Sequence, residues 1–272
     1  MQVVRDLICE ANTIYFSHYE IRPAKLFEGV EQRLTIFIIR YQINKDIFST
    51  SIQRWKSEHR KNLFKTLYYS PSFNNGSIWR TSSNIESNIY KKYLAQLPIS
   101  SYLSTMKGKD CKICYRTAGI RYWIIFLNEG FNTDSLSNKS NYFLEPQMSR
   151  FFMAALNSNL FWWYYSLNYD MFNLKDYMIF AFRLTYKEIP KLISLASALE
   201  IDLNKKKSEL IVNSQTRGVV SSFVFKKKLS KPIIDEIDKV LAKHYGFTEE
   251  ELDFIINYDI KYRMGDELNE NE

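Results

Sequence analysis

Glycine, proline, cysteine and histidine are all scarce in this chain, and the placement of the few excludes several kinds of chemistry. None of the eight glycines lies two positions from another, and no Gly-x-x-x-x-Gly-Lys run exists. The usual glycine-rich nucleotide loops are therefore absent. Three cysteines give no disulfide framework, and only Cys111 and Cys114 have a metal-like spacing. A structural zinc takes about four Cys or His ligands, and His18, His59 and His244 are scattered. The two thiols read instead as part of a strand running through Ile113 and Tyr115. No run of about 18 apolar residues occurs; the most hydrophobic stretch, Phe151 to Tyr165, is broken by Asn157, Ser158 and Asn159. It reads as a buried helix, with no membrane partner. The residues after Met1 lack the pattern of a secretory leader, so the expected location is cytoplasmic.

Further absences bear on catalysis. The six prolines are never adjacent, whereas amino methylation of a base in DNA uses a Pro-Pro-aromatic loop to hold the flipped base. Asp110-Cys111-Lys112 and Asp259-Ile260-Lys261 match the short carboxylate and lysine pattern of metal-dependent nucleases. No Pro-Asp pair accompanies either, and matches this short arise by chance. No catalytic, cofactor-binding or metal-binding residue is assigned.

What the chain does have is apolar mass and an uneven charge. Its 272 residues are 46% hydrophobic, enough to bury a core. From Lys231 to Glu272 there are 12 of the 30 acidic residues and only 5 of the 37 basic ones, so this tail carries −7 and the rest +14. A basic body with 16% aromatic residues favours a polyanionic partner whose surface lies before residue 231.

Along the chain, Thr13 to Phe16 and Leu34 to Ile39 read as strands separated by Arg22-Pro23 and Gly29. The second is almost continuously apolar, like a strand buried on both faces of an α/β sheet. Ile52, Trp55, His59, Leu63 and Phe64 fit one face of a helix over Thr50 to Leu67. Asn75-Gly76 predicts a hairpin turn, and a helix over Ile85 to Leu97 stops at Pro98. From Lys109 to Phe126, Lys112, Tyr115, Arg116, Arg121 and Trp123 flank a bend at Ala118-Gly119. Arginine can bond two acceptors of guanine or clamp a phosphate, and aromatic rings can stack on sugars or bases. These five residues, with Arg80, are the candidate DNA-binding set. The competing reading is an ordinary edge strand rich in aromatic and basic residues.

Phe131 to Asn141 reads as loop. A helix beginning near Pro146 leads into the aromatic run Phe161 to Tyr165, and another spans Pro190 to about Lys205. After Asn213 a loop leads to Lys226-Lys227-Lys228, read as a solvated run with phosphate tracking as the alternative. Ser230 can cap a helix with Pro232 in its first turn and Gly246 at its end. Thr248 then starts a second helix as a capping box with Glu251, with Phe247 and Leu252 as a hydrophobic staple.

Four stretches resemble the large adenine-specific DNA methyltransferases of type II restriction-modification systems. They are Tyr19 to Arg40; Trp55-Lys-Ser-Glu-His-Arg-Lys-Asn-Leu-Phe64; Tyr115-Arg-Thr-Ala-Gly-Ile-Arg-Tyr-Trp123; and Ser230 to Gly265. Ala155 to Phe161 adds a weaker match. The resemblance implies an α+β chain in three parts. Residues 1–45 would be the last strands of an α/β methyltransferase sheet, 46–229 a mixed-sheet target-recognition domain, and 230–272 a C-terminal helical hairpin. It implies double-stranded DNA and a catalytic methyltransferase chain as partners. S-adenosylmethionine is implied for the complete enzyme, with no cofactor bound by this chain. The function so implied is DNA sequence recognition without catalysis. The alternative is a protein-interaction subunit that docks on a separate catalytic chain.

Overall fold

The computed structural model describes residues 3, 6, 13–41, 46–72, 78–118, 123–131, 133, 135–214 and 218–265. The Asn75-Gly76 turn, Gly119, Arg121 and Tyr122 lie outside the described residues. The chain is α+β, with a mixed sheet and a C-terminal pair of helices. It divides into two compact units, Met1–Lys91 and Lys92–Glu272.

The first unit is built on a four-stranded sheet of order β2-β1-β3-β4, from β1 (Thr13–Tyr19), β2 (Leu34–Arg40), β3 (Ile47–Gln53) and β4 (Ser70–Pro71). β1 pairs antiparallel with β2 and parallel with β3, so the sheet continues beyond residue 45. Here the structure corrects the reading of Leu34 to Ile39. β1 is the buried strand; β2 is an edge strand with Phe37 48% and Ile38 57% exposed. An apolar run suits either place, since an edge strand leaves one side of its backbone ladder to solvent whatever its side chains are.

The helix expected from Thr50 is also displaced. Thr50 to Gln53 are taken into β3, where β-branched Thr50 and Ile52 fit the pleat, and only Ser57–Thr66 winds, as a 3-10 helix. Its Leu63 packs with Trp55, Tyr19, Ala24 and Leu26, while Phe64 is 59% exposed. An α-helix, α1 (Asn84–Leu94), follows.

The second unit holds an antiparallel sheet of order β5-β8-β6-β7, from β5 (Leu103–Ser104), β6 (Lys112–Arg116), β7 (Phe126–Leu127) and β8 (Asn138–Phe143). β8 occupies the end of the stretch expected to be loop, and Cys111 lies in the 3-10 turn just before β6. α2 (Pro146–Leu156) packs on β6 and β8, with Phe152 5.2 Å from Phe143 between ring centres. The single helix expected through the aromatic run is two. The Asn157 amide bonds both backbone groups of Phe126 and also donates back to the Met153 carbonyl at 2.9 Å, and Ser158 Oγ accepts the N–H of Phe161 at 3.1 Å. That cap starts α3 (Asn159–Asn168), whose Phe161 to Tyr165 are all at most 3% exposed. The aromatic run is core, at roughly 1.5–3 kcal/mol per large side chain removed from water.

A short helix, α4 (Asp176–Phe180), and then α5 (Pro190–Lys206) follow, the latter close to its expected span. The segment after Asn213, expected as loop, is a two-stranded ribbon of β9 (Ser208–Ser214) and β10 (Gly218–Val224). α6 (Lys231–Tyr245) ends at Gly246, which is left-handed at φ 72°, a conformation that costs glycine nothing. Thr248 and Glu251 form the expected capping box at the start of α7 (Glu249–Asn257), with N–H bonds of 3.2 and 2.7 Å. Ser230 does not cap α6; its hydroxyl donates to Asp202 at 2.7 Å instead. A last turn, α8 (Ile260–Met264), begins after left-handed Asp259.

Candidate nucleic-acid interface

Side chains of β6 alternate, so Lys112, Cys114 and Arg116 share one face and Ile113 and Tyr115 the other. Across the ladder Lys112 faces Tyr142, Cys114 faces Ser140 and Arg116 faces Asn138. The Lys112 face is polar and partly open, with Lys112, Arg116, Asn138 and Tyr142 all half-buried. Two of the predicted residues are thus brought together at opposite ends of one short strand. Arg116 lies with its guanidinium carbon 5.0 Å from the centre of the Phe131 ring, and burial lowers its pKa. Stacking of this kind holds the planar fork in one orientation.

Tyr115 lies on the opposite face of β6. Its ring is fully buried, and its hydroxyl donates to Asp176 Oδ1 at 2.5 Å while accepting from Asn141 Nδ2 at 2.6 Å. Burial and the Asp176 carboxylate push this phenol up. Lys139 pairs with the other oxygen of Asp176 at 2.5 Å. Tyr115 therefore pins β6 to α4 and offers no face to a ligand.

Trp123 is half-buried and committed to the C-terminus. Its indole N–H donates to the Arg263 carbonyl at 2.9 Å, and the Arg263 guanidinium lies 4.1 Å over its ring. Arg80 belongs to the first unit, where its positive charge acts on His18. Arg121 lies outside the described residues.

The lysine run divides likewise. Lys227, read as solvated, is 3% exposed and donates to the carbonyl of Ile124, and burial lowers its pKa. Near it, Asp238 on α6 caps α3, accepting from the Asn159 and Leu160 backbone N–H groups at 3.1 and 3.2 Å and from the Asn159 side chain at 2.7 Å. Arg263 donates to the Asn159 side-chain oxygen. Burial, then the Asp235 charge, raises the Asp238 pKa to about 7 against the pull of those N–H groups and of Arg263. Burial brings Arg263 down to about 10 despite three nearby aspartates. This buried charge cluster escaped the sequence reading. Its one signal is Asp238 sitting among Ile234, Ile237 and Leu241 on the apolar face of α6.

Cys114 is buried 3.1 Å from Ser140 Oγ, and Cys111 is half-buried. Among the described residues, no three His, Cys, Asp or Glu side chains gather as metal ligands. The described glycines stand singly, four of them at positive φ. Among the described residues, no helix is long and apolar enough to cross a membrane.

Comparison with protein-family models, curated proteins and solved structures gives no match.

Proposed function

We propose that this chain is the DNA-recognition part of an adenine-specific DNA methyltransferase of a restriction-modification system, catalytically incomplete alone. The observation that carries this reading is the order of the four resembling stretches, from Tyr19 to Gly265, in a chain whose body before residue 231 carries +14. Lys112 and Arg116, on one sheet face, are the side chains suited to duplex contact, Arg116 to a guanine edge or a phosphate and Lys112 to the backbone. The single glycines and separated prolines give methyl transfer no site here, so the chain is assigned no step of it.

The test is a band-shift titration of the purified chain with duplex DNA at several salt concentrations. Binding should weaken steeply with salt as phosphate contacts release counterions. Absence of binding at low salt would overturn the reading.

A second reading, docking on a separate catalytic chain, is favoured by β2, an edge strand showing Phe37, Ile38 and, just beyond it, Tyr41 at 87% exposure. Because β1 is the sheet's buried strand, deleting residues 1–45 would destroy the unit as well as the contact. Ile38→Lys is the sharper probe, since an edge lysine blocks strand addition while leaving the β1 ladder intact. Co-purification with a methyltransferase chain, lost in I38K, would favour docking.

A further inference from the structure

Apart from the β6 face, the second unit has a cleft of about 680 Å³ between the segment Thr185 to Ile189 and the last turns of α6. Lys187, Lys191 and Lys243 line it together with His244, and no aspartate or glutamate does. Among the described residues, none of the three lysines has an ion pair or a hydrogen bond to its ammonium group. Other lysines on this unit are satisfied locally: Lys92 by Glu251, Lys139 by Asp176, Lys206 by Asp202 and Lys231 by Asp235. Of the acids acting nearby, Glu236 is acted on by Lys191 and Lys243, and Glu188 and Glu145 act on Tyr186; none of the three lies in the lining.

Three like charges along the wall of one cleft, with no acid in the lining, give it a positive potential. The start of α5, with no acidic residue in its first turn and Lys191 at its second position, adds the positive end of a 17-residue helix. The rest of the wall includes the apolar residues Ala95, Ile189 and Val240. A volume of this size falls in the range of about 300–1,000 Å³ typical of small-molecule sites. We propose that this cleft binds a small phosphorylated ligand of nucleotide size, with Lys187, Lys191 and Lys243 holding the phosphates and the apolar side chains of Ile189 and Val240 facing the organic part. A concave site suits a compact polyanion better than a duplex, whose phosphates are strung along a convex surface. Such a site stands independently of any DNA contact made by β6.

Adenosine diphosphate serves as the probe, with pyrophosphate and adenosine as its two halves, in equilibrium titrations of the full chain by calorimetry at low ionic strength. Expected are saturable binding of the diphosphate, weaker binding of pyrophosphate and none of adenosine. The double variant Lys187→Gln, Lys243→Gln should weaken diphosphate binding at least about tenfold, with its melting temperature and its affinity for duplex DNA unchanged. No binding of the diphosphate, or binding untouched by the double variant, would overturn the proposal. So would an equal loss of duplex affinity, which would make the lysines part of a nucleic-acid track.

Discussion

His18 gives the first unit a built-in sensitivity to acid. The side chain sits in β1 at 8% exposure, with Nδ1 2.9 Å from Thr35 Oγ1 on β2 and Nε2 3.0 Å from Ser49 Oγ on β3. A neutral imidazole satisfies both neighbours, donating to one hydroxyl and accepting from the other. Burial, with the Arg80 charge added, lowers its pKa from 6.5 to about 3. Because the folded value lies below the unfolded one, the unfolded chain binds the extra proton between these limits. Stability is then fully present above pH 6.5 and is lost as pH falls toward 3. At ~1.4 kcal/mol per pH unit, the loss is about 3 kcal/mol by pH 4. Only three histidines occur in the chain, so the ring resonances can be followed individually by NMR. The His18 signals should stay at their neutral positions from pH 7 to pH 4, and urea unfolding of this unit should show the loss in wild type but not in His18→Gln. Titration of His18 near pH 6.5, or a variant whose stability keeps the wild-type slope, would refute the reasoning.

Asp238 acts with the opposite sign in the second unit. Its folded pKa, about 7, exceeds the unfolded 3.8, so its contribution falls as pH rises from 4 to 7, by roughly 4 kcal/mol; Asp238→Asn should remove that slope from urea unfolding curves of this unit. Arg263→Ala deletes the contacts to Trp123 and Asn159 and leaves Asp238 buried with less compensation. A loss of about 2–4 kcal/mol is expected in chemical unfolding from the charged hydrogen bond and the ring contact together, and a loss under about 1 kcal/mol would show the cluster to be incidental. Thr248→Ala breaks the capping box and should cost about 1 kcal/mol, read as a fall of roughly 2–4 °C in melting temperature. On the DNA-reading proposal, Lys112→Ala should reduce the salt dependence of duplex binding by about one counterion, whereas Arg116→Ala should also relax base preference.

How legible each element was depends on whether its signal was local. The α6 to α7 connection could be read directly because Gly246, Thr248 and Glu251 act within a single turn, through a left-handed residue and two short hydrogen bonds. The break at Asn157 was present as letters but not as meaning. At the end of α2 the Asn157 amide bonds a strand 31 residues away, and no periodicity reports such a partner. The same limit explains the candidate site. Lys112 and Arg116 share a face only because β6 runs as a regular strand between them, and the fate of Tyr115 is decided by Asp176, 61 residues on. That of Trp123 was decided by Arg263, 140 residues on.

β2 meets the same limit from the side of packing. Hydrophobicity says how much a strand gains from burial, not whether a neighbour is there to bury it. In the first unit the polar-bearing strand, with Ser17 and His18, became the inner one because Thr35 on β2 and Ser49 and Thr50 on β3 satisfy His18 while the Ile36 carbonyl accepts from Ser17. The mostly apolar strand, with Thr35 turned to His18, can stand at the edge. If a further chain completes this sheet, it adds on the side of β2 away from β1. Phe37 and Ile38 should then lose their exposure, and I38K should abolish the association while leaving the acid sensitivity of His18 unchanged.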